Sequence, residues 1–320
     1  MSRVEKICPI CKTVHNNNLN VAVPGIYRGR YYDKADFLVQ PELKKTLFHY
    51  TSLDCFNAII ASSKPVLRLT HYSQLNDWKE LLLGIELLEK RIQRCVKSDE
   101  RKKLLNELQQ IKAKKHNCYL FSLSENEDCL SQWRAYAPSG GVSIGFSCNF
   151  LNNLSSKNIA LAPCSYTNKD NKIDLNSIYK IAKYRVSKKG QNAIAEQQKA
   201  DDKMIKYLLR FGWQEVEEEV QYSLSDFVEA VTTIKHYGFY EEQEWRLIAW
   251  DLNQPYTTKL SENNRRYIEI GFSTQKDIVS LIISPHGDKN MIRNVIEFYK
   301  NNGILSKDCE IIDSKIPYRG

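Results

Sequence analysis

Apolar residues along this chain fall into short runs separated by turn residues, with longer stretches of helical spacing between them. In "LFHYTSLDCFNAIIASSKPVLRLT", Leu47 to Tyr50 suit a short strand. Thr51, Ser52 and Asp54 can each cap a helix, and Phe56, Ile59 and Ile60 give that helix one apolar face. Pro65 ends it, and "PVLRLT" is strand-like. From Asp77 to about Lys115, "WKELLLGIELLEKRIQRCV" and "ERKKLLNELQQIKAKK" repeat apolar positions every three and four residues, which predicts two helices broken at Ser98 and Asp99.

The pattern then returns to strands. "NCYLFSLS" reads as a buried strand, and "CLSQWRAYAPSGGVSIGF" as a short helix, a Pro-Ser-Gly-Gly turn and another strand. Residues 175–236 read as mostly helical and charged, with the acidic run "EVEEEV" on a solvated face. "QEWRLIAW", "RRYIEIGF" and "DIVSLIIS" are strand-like, "KNMIRNVIEFYKNNG" is a helix ended by Gly303, and "CEIIDSKI" is a last strand. Strands thus cluster at 47–70, 118–146 and 243–314 with helical blocks between, a mixed α+β layout. Residues 1–45 show no clear periodicity and read as an irregular extension.

Composition adds little to this layout. The 320 residues are 42% hydrophobic and 26% charged, enough for a sizeable core in one decorated domain or two modest ones. A net charge of +8 mildly favours an anionic partner such as a nucleotide, a phosphate or RNA. Basic residues between Arg91 and Lys115 form either a solvated helix face or a nucleic-acid contact. The N-terminus lacks the apolar run of a secretory signal, and no segment is apolar over the length of a membrane span. Nine cysteines, an odd number scattered through apolar segments, fit reduced thiols. The expectation is a cytoplasmic protein with no membrane partner.

Three stretches carry candidate chemistry. In "FYEEQEWRLIAW", a strand over 242–249 would place Glu242, Glu244 and Arg246 on one face. Such carboxylates form a structural ion pair with Arg246, or they sit in a cleft where one stabilises an oxocarbenium ion and the other positions a nucleophile. In "LFHYTS", His49 is either a core histidine or a ligand for a ribose hydroxyl or phosphate beside a helix start. In "LTHYSQLNDWKE", Asn76 or Asp77 suits an N-cap, while Tyr72 or Trp78 suits stacking on a flat ring. Separately, "CPICKTVH" supplies Cys8, Cys11 and His15, part of a zinc ligand set or free thiols.

Taken in order, "LFHYTS", "LRLTHYSQLND", "FSLSENEDCLSQWRAYAPSGGVSIGF", "EEQEWRL" and the closing "IPYR" resemble the bacterial domain-of-unknown-function 2971 family over roughly residues 45–320. That family in turn resembles ADP-ribosyltransferases of the His-Tyr-Glu type, which include diphtheria-like toxins and poly(ADP-ribose) polymerases. The resemblance implies an ADP-ribosyltransferase-like mixed or antiparallel sheet core over 46–320, with helical insertions at about 78–115 and 175–236. It implies NAD as substrate, with ADP-ribose passed to water or to a macromolecular acceptor, protein or nucleic acid, in the manner of a toxin or an anti-phage effector. His49, with the neighbouring Tyr50 and Thr51, would hold the NAD ribose, and Tyr72 or Trp78 the nicotinamide. Glu244 would be the catalytic carboxylate, Glu242 would position the nucleophile, and Arg246 would orient Glu244. The competing expectation is a non-catalytic nucleotide- or RNA-binding module on the same fold.

Overall fold

The computed structural model describes residues 6–7, 14–15, 45–75, 80–95, 98–114, 118–155, 159–170, 173, 231–250 and 257–317. In the extension, β1 (Lys6–Ile7) and β2 (Val14–His15) pair antiparallel, so the expected irregular segment contains a short hairpin around the Cys-x-x-Cys stretch. Next come β3 (Leu47–Ser52), α1 (Leu53–Ile60), β4 (Val66–His71), α2 (Glu80–Cys95), α3 (Ser98–Lys114), β5 (Cys118–Ser124), α4 (Leu130–Tyr136), β6 (Gly141–Phe146), α5 (Cys148–Ser155), β7 (Ile159–Pro163) and β8 (Ser165–Tyr166). After residues 174–230 the described chain resumes with β9 (Ile234–Lys235), β10 (Glu244–Trp250), β11 (Lys259–Leu260), β12 (Arg266–Gly271), β13 (Ile278–Ile283), α6 (Lys289–Asn301) and β14 (Glu310–Asp313).

Local chemistry accounts for the element ends. Ser52 caps α1 by accepting from the Cys55 N–H at 3.3 Å. Asp288 caps α6 by accepting from the Met291 N–H at 2.9 Å, and Gly303, at φ +67°, follows its end. The expected strand over 242–249 instead begins at Glu244. Gln243 turns left-handed at φ +41°, and Glu242 ends a 3-10 segment, Tyr237–Glu242. The block read as helical over 175–236 ends in β9; the rest of it, apart from a helical end at residues 231–232, lies outside the described residues.

Ten strands form one mixed, mostly antiparallel sheet, and only β13 and β14 pair parallel within it. The sheet forks at β5. One edge of β5 pairs along its whole length with β10, from Glu244↔Ser124 to Trp250↔Cys118, and β7 covers the far side of β10. The opposite edge is shared. β4 takes its start, at Thr70↔Leu120 and His71↔Tyr119, and β3 takes its end, at Phe48↔Ser124. Beyond β4 lie β12 and β11; beyond β3 lie β6, β13 and β14.

Period-two alternation then divides the core. Tyr119, Phe121, Leu123, Trp245, Leu247 and Ala249 point to the face packed by α1, α5 and α6. Cys118, Leu120 and Ile248 point to the other face, where Ile85, Leu88 and Ile92 of α2 and Leu104 and Leu108 of α3 close over them. The predicted helices at about 78–115 are thus a lid on one arm of the fork. No helix of the described residues is long and apolar enough to cross a membrane.

Candidate functional site

The opening of β10 holds the densest group of charges buried among the described residues. Glu244 is 3% exposed and Arg246 is fully enclosed. The Arg246 guanidinium donates to both carboxylate oxygens of Glu244, Nε to Oε1 and Nη2 to Oε2, each at 3.0 Å. Its Nη1 donates to the Thr232 carbonyl. Lys235 Nζ donates to Glu244 Oε2 at 2.7 Å and to Glu242 Oε2 at 2.5 Å. The Cys164 thiol points to Glu244 Oε2 at 3.5 Å, and the Glu244 N–H donates to the Tyr166 hydroxyl at 2.7 Å. One fully buried carboxylate, one half-buried carboxylate and two buried cations thus meet, balanced in charge and hydrogen-bonded to one another, the condition under which buried ions are tolerated.

The backbone puts these groups together. Parallel pairing of β8 with β9 sets Tyr166 beside Lys235. The Cys164 N–H donates to the Glu244 carbonyl at 2.8 Å, which ties β7's exit to β10. The left-handed turn at Gln243 brings Glu242 back toward Lys235, and the Ser124 hydroxyl fixes it by donating to the Glu242 carbonyl at 2.6 Å.

The environment separates the two carboxylates electrically. Burial raises the carboxyl of Glu244, but Arg246 and then Lys235 outweigh it and hold the group down at about 2. Burial pushes the half-buried Glu242 above its ordinary range, against the pull of Lys235. Glu244 is therefore a fixed anion, and Glu242 is the group of the pair that exchanges a proton more readily.

His49 lies across the sheet from this network. Pairing sets Phe48, Ser124 and Glu244 in one row, whose side chains share a face. His49, one residue further, belongs to the opposite face, where its ring stacks on Phe121 at 4.3 Å. It sits inside the fork, with Nδ1 3.1 Å from the Ser122 carbonyl. A carbonyl only accepts, so Nδ1 carries the proton. Burial lowers the pKa of the ring, and the neutral form presents Nε2 as an acceptor.

Residues 132–247 match the family model described as "Protein of unknown function (DUF2971)". No curated protein and no solved structure matches the chain. The DUF2971 match takes in Cys164, Tyr166, Lys235, Glu242, Glu244 and Arg246, while His49 lies before it.

The remaining expected site residues have other surroundings. The Tyr50 hydroxyl donates to the Asn126 carbonyl at 2.7 Å and accepts from the Cys129 N–H at 2.9 Å, so it clamps the loop before α4. Thr51 is buried, and Tyr72 packs into the cluster under α2 and α3. Trp78, Cys8 and Cys11 lie outside the described residues, and His15 is known only as a position on β2. Among the described residues, no three His, Cys, Asp or Glu side chains converge to hold a metal ion.

Lys235 is the residue that sequence reasoning passed over. It stands at the end of "VTTIK", a β-branched run inside a block otherwise charged and helical in character. That run was the available signal for β9.

Proposed function

We propose that this chain is a ribose-recognising nucleotide-binding protein, with a ligand of the NAD type seated at the fork of the sheet beside His49. Glu244 then serves the fold and not the reaction. The observation that carries this reading is the commitment of the Glu244 carboxylate. Both oxygens are taken by Arg246 and Lys235, on the face opposite His49. A carboxylate so held reaches a developing oxocarbenium ion only by leaving two buried cations uncompensated, which costs several kcal/mol. The neutral His49 ring, with Nε2 as an acceptor, suits a ribose hydroxyl donor.

A second reading keeps ADP-ribosyl transfer, with Glu242 as the working carboxylate. It is favoured by the raised, half-buried Glu242 carboxyl, whose ionisation state is the more adjustable.

The test is isothermal calorimetry with NAD beside a nicotinamide-release assay. The binding reading expects NAD bound without release and affinity lost in His49→Ala. Release of nicotinamide that Glu242→Gln or Glu244→Gln abolishes, with circular dichroism intact, would replace it by transfer. Absence of both binding and release would remove the nucleotide altogether.

A further inference from the structure

Helix α6 carries two apolar stripes where an ordinary amphipathic surface helix needs one. Ile292, Ile296 and Tyr299 face the core. Beside them, Met291, Val295 and Phe298 follow the same three- and four-residue spacing, with Val295 half-buried against the core and Met291 and Phe298 turned outward. Met291 is 50% exposed and Phe298 is 59% exposed. Between this outer stripe and α1 runs a cavity of about 520 Å³, lined among others by Asn57, Asn290 and Asn294. It lies among α1 and α6, and its lining includes none of Lys235, Glu244 and His49.

We infer that this face is an interface between two copies of the chain, with α6 packed antiparallel on α6 about a two-fold axis. Three observations choose a second copy as the occupant. The stripe is its own complement. With the axis between Asn294 and Val295, Met291 of one copy faces Phe298 of the other, and Asn294 of one faces Val295 of the other. The cavity beside each stripe then receives the partner's side chain. The lining is also free of unmatched charge. In a chain of net charge +8, the only ionisable carboxylate or ammonium lining this groove among the described residues is Asp288, and its carboxylate is used to cap α6. Two like-charged molecules meet with least repulsion on a neutral patch. Finally, the polar lining is asparagine, whose amide both donates and accepts, so identical residues pair across a two-fold axis.

The contact is modest. The 13 residues of α6 span about 20 Å. That suits an interface of about 800 Å² per copy or less and a dimer that dissociates in the micromolar range.

The experiment is sedimentation velocity of the full chain across concentrations, with Phe298→Lys and Met291→Lys in parallel. Both positions are exposed, and circular dichroism verifies that the variants fold. The expected result is a monomer–dimer equilibrium that either lysine weakens by about tenfold or more. An Asn294→Cys variant is further expected to form an intermolecular disulfide under mild oxidation well beyond that of the parent chain, whose own cysteines set the baseline. A chain that stays monomeric at 100-fold above the micromolar range overturns the inference. So does a dimer indifferent to both lysines, or an Asn294→Cys chain that cross-links no more than its parent.

Discussion

Lys235 bonds two carboxylates at once, and its substitution tests what the buried network contributes. Lys235→Met leaves Glu244 with Arg246 alone and removes the Lys235–Glu242 ion pair, at an expected loss of about 3–5 kcal/mol in urea denaturation. Adding Glu242→Gln to that variant removes one uncompensated charge and should restore part of the loss, a coupling that a double-mutant cycle reads directly. Acid adds a second handle. The Glu244 carboxyl titrates at about 2 when folded against 4.5 as its ordinary value. Its stabilisation is therefore complete above pH 4.5 and drains away as pH falls toward 2, because the unfolded chain takes up the proton first. Glu242 runs the other way, since its folded carboxyl is raised and its contribution fades as pH climbs through that raised value. Denaturation midpoints at pH 3, 5 and 7 should show Glu244→Gln destabilised by on the order of 2–3 kcal/mol at pH 7, with the gap to the parent narrowing at pH 3. A gap constant with pH would show that the carboxylate's charge is not what matters. Glu242, Glu244 and Arg246 were legible in the sequence as a cluster of opposite charges, as was the ambiguity between ion pair and catalyst. Lys235 was not, because a local pattern cannot say which cation a turn at Gln243 will fold back upon.

At the scale of elements, most strands and helices announced themselves by period, since a buried strand repeats every two residues and a lid helix every three or four. The strands read in "LFHY", "NCYLFSLS", "GVSIGF" and "DIVSLIIS", and the helix read in "KNMIRNVIEFYKNNG", all correspond to elements of the structure. The start of β10 departed from the pattern, as did the short strands β1, β2 and β9. One left-handed residue, Gln243, moved the strand start from Glu242 to Glu244, yet the turn still brings both carboxylates to Lys235. The fork itself was invisible, because it depends on β3 and β4 sharing one edge of β5, through pairs such as Phe48↔Ser124 and Thr70↔Leu120 that lie far apart in sequence. Helix α2 offers a test of its docking onto the segment before β9 that carries Thr232. A Cβ built on Gly84 would stand 2.3 Å from the Val231 carbonyl oxygen, a backbone atom that side-chain rotation cannot move. On an isolated helix, Gly84→Ala should help by up to about 1 kcal/mol. Here it should instead destabilise by about 1–3 kcal/mol through overpacking, checked by thermal melts of both proteins. A stabilised Gly84→Ala would mean that α2 does not rest on residue 231.

For the whole molecule, the fork makes ligand binding and folding one linked problem. The two arms, β4–β12–β11 and β3–β6–β13–β14, join only through β5, and the Ser122 carbonyl between them is held by a side chain, His49, where a neighbouring strand would otherwise pair. A ligand that binds His49 contacts the seam where the arms part, so it stabilises the native state by mass action and adds no state of its own to the unfolded chain. At a concentration 100 times its dissociation constant, NAD should add about 2.7 kcal/mol, which raises the melting temperature by about 5 °C for a chain of this size. His49→Ala should lose most of that shift while melting within a few degrees of the parent without ligand, since the ring is only partly buried and its main partner is one carbonyl. Glu244→Gln should do the reverse, with a lower starting melt and an undiminished shift, because its carboxylate lies on the other face. The crossed pattern separates a residue that meets the ligand from one that builds the scaffold. Equal loss of the shift in both variants would instead place Glu244 at the ligand and return the carboxylates to catalysis.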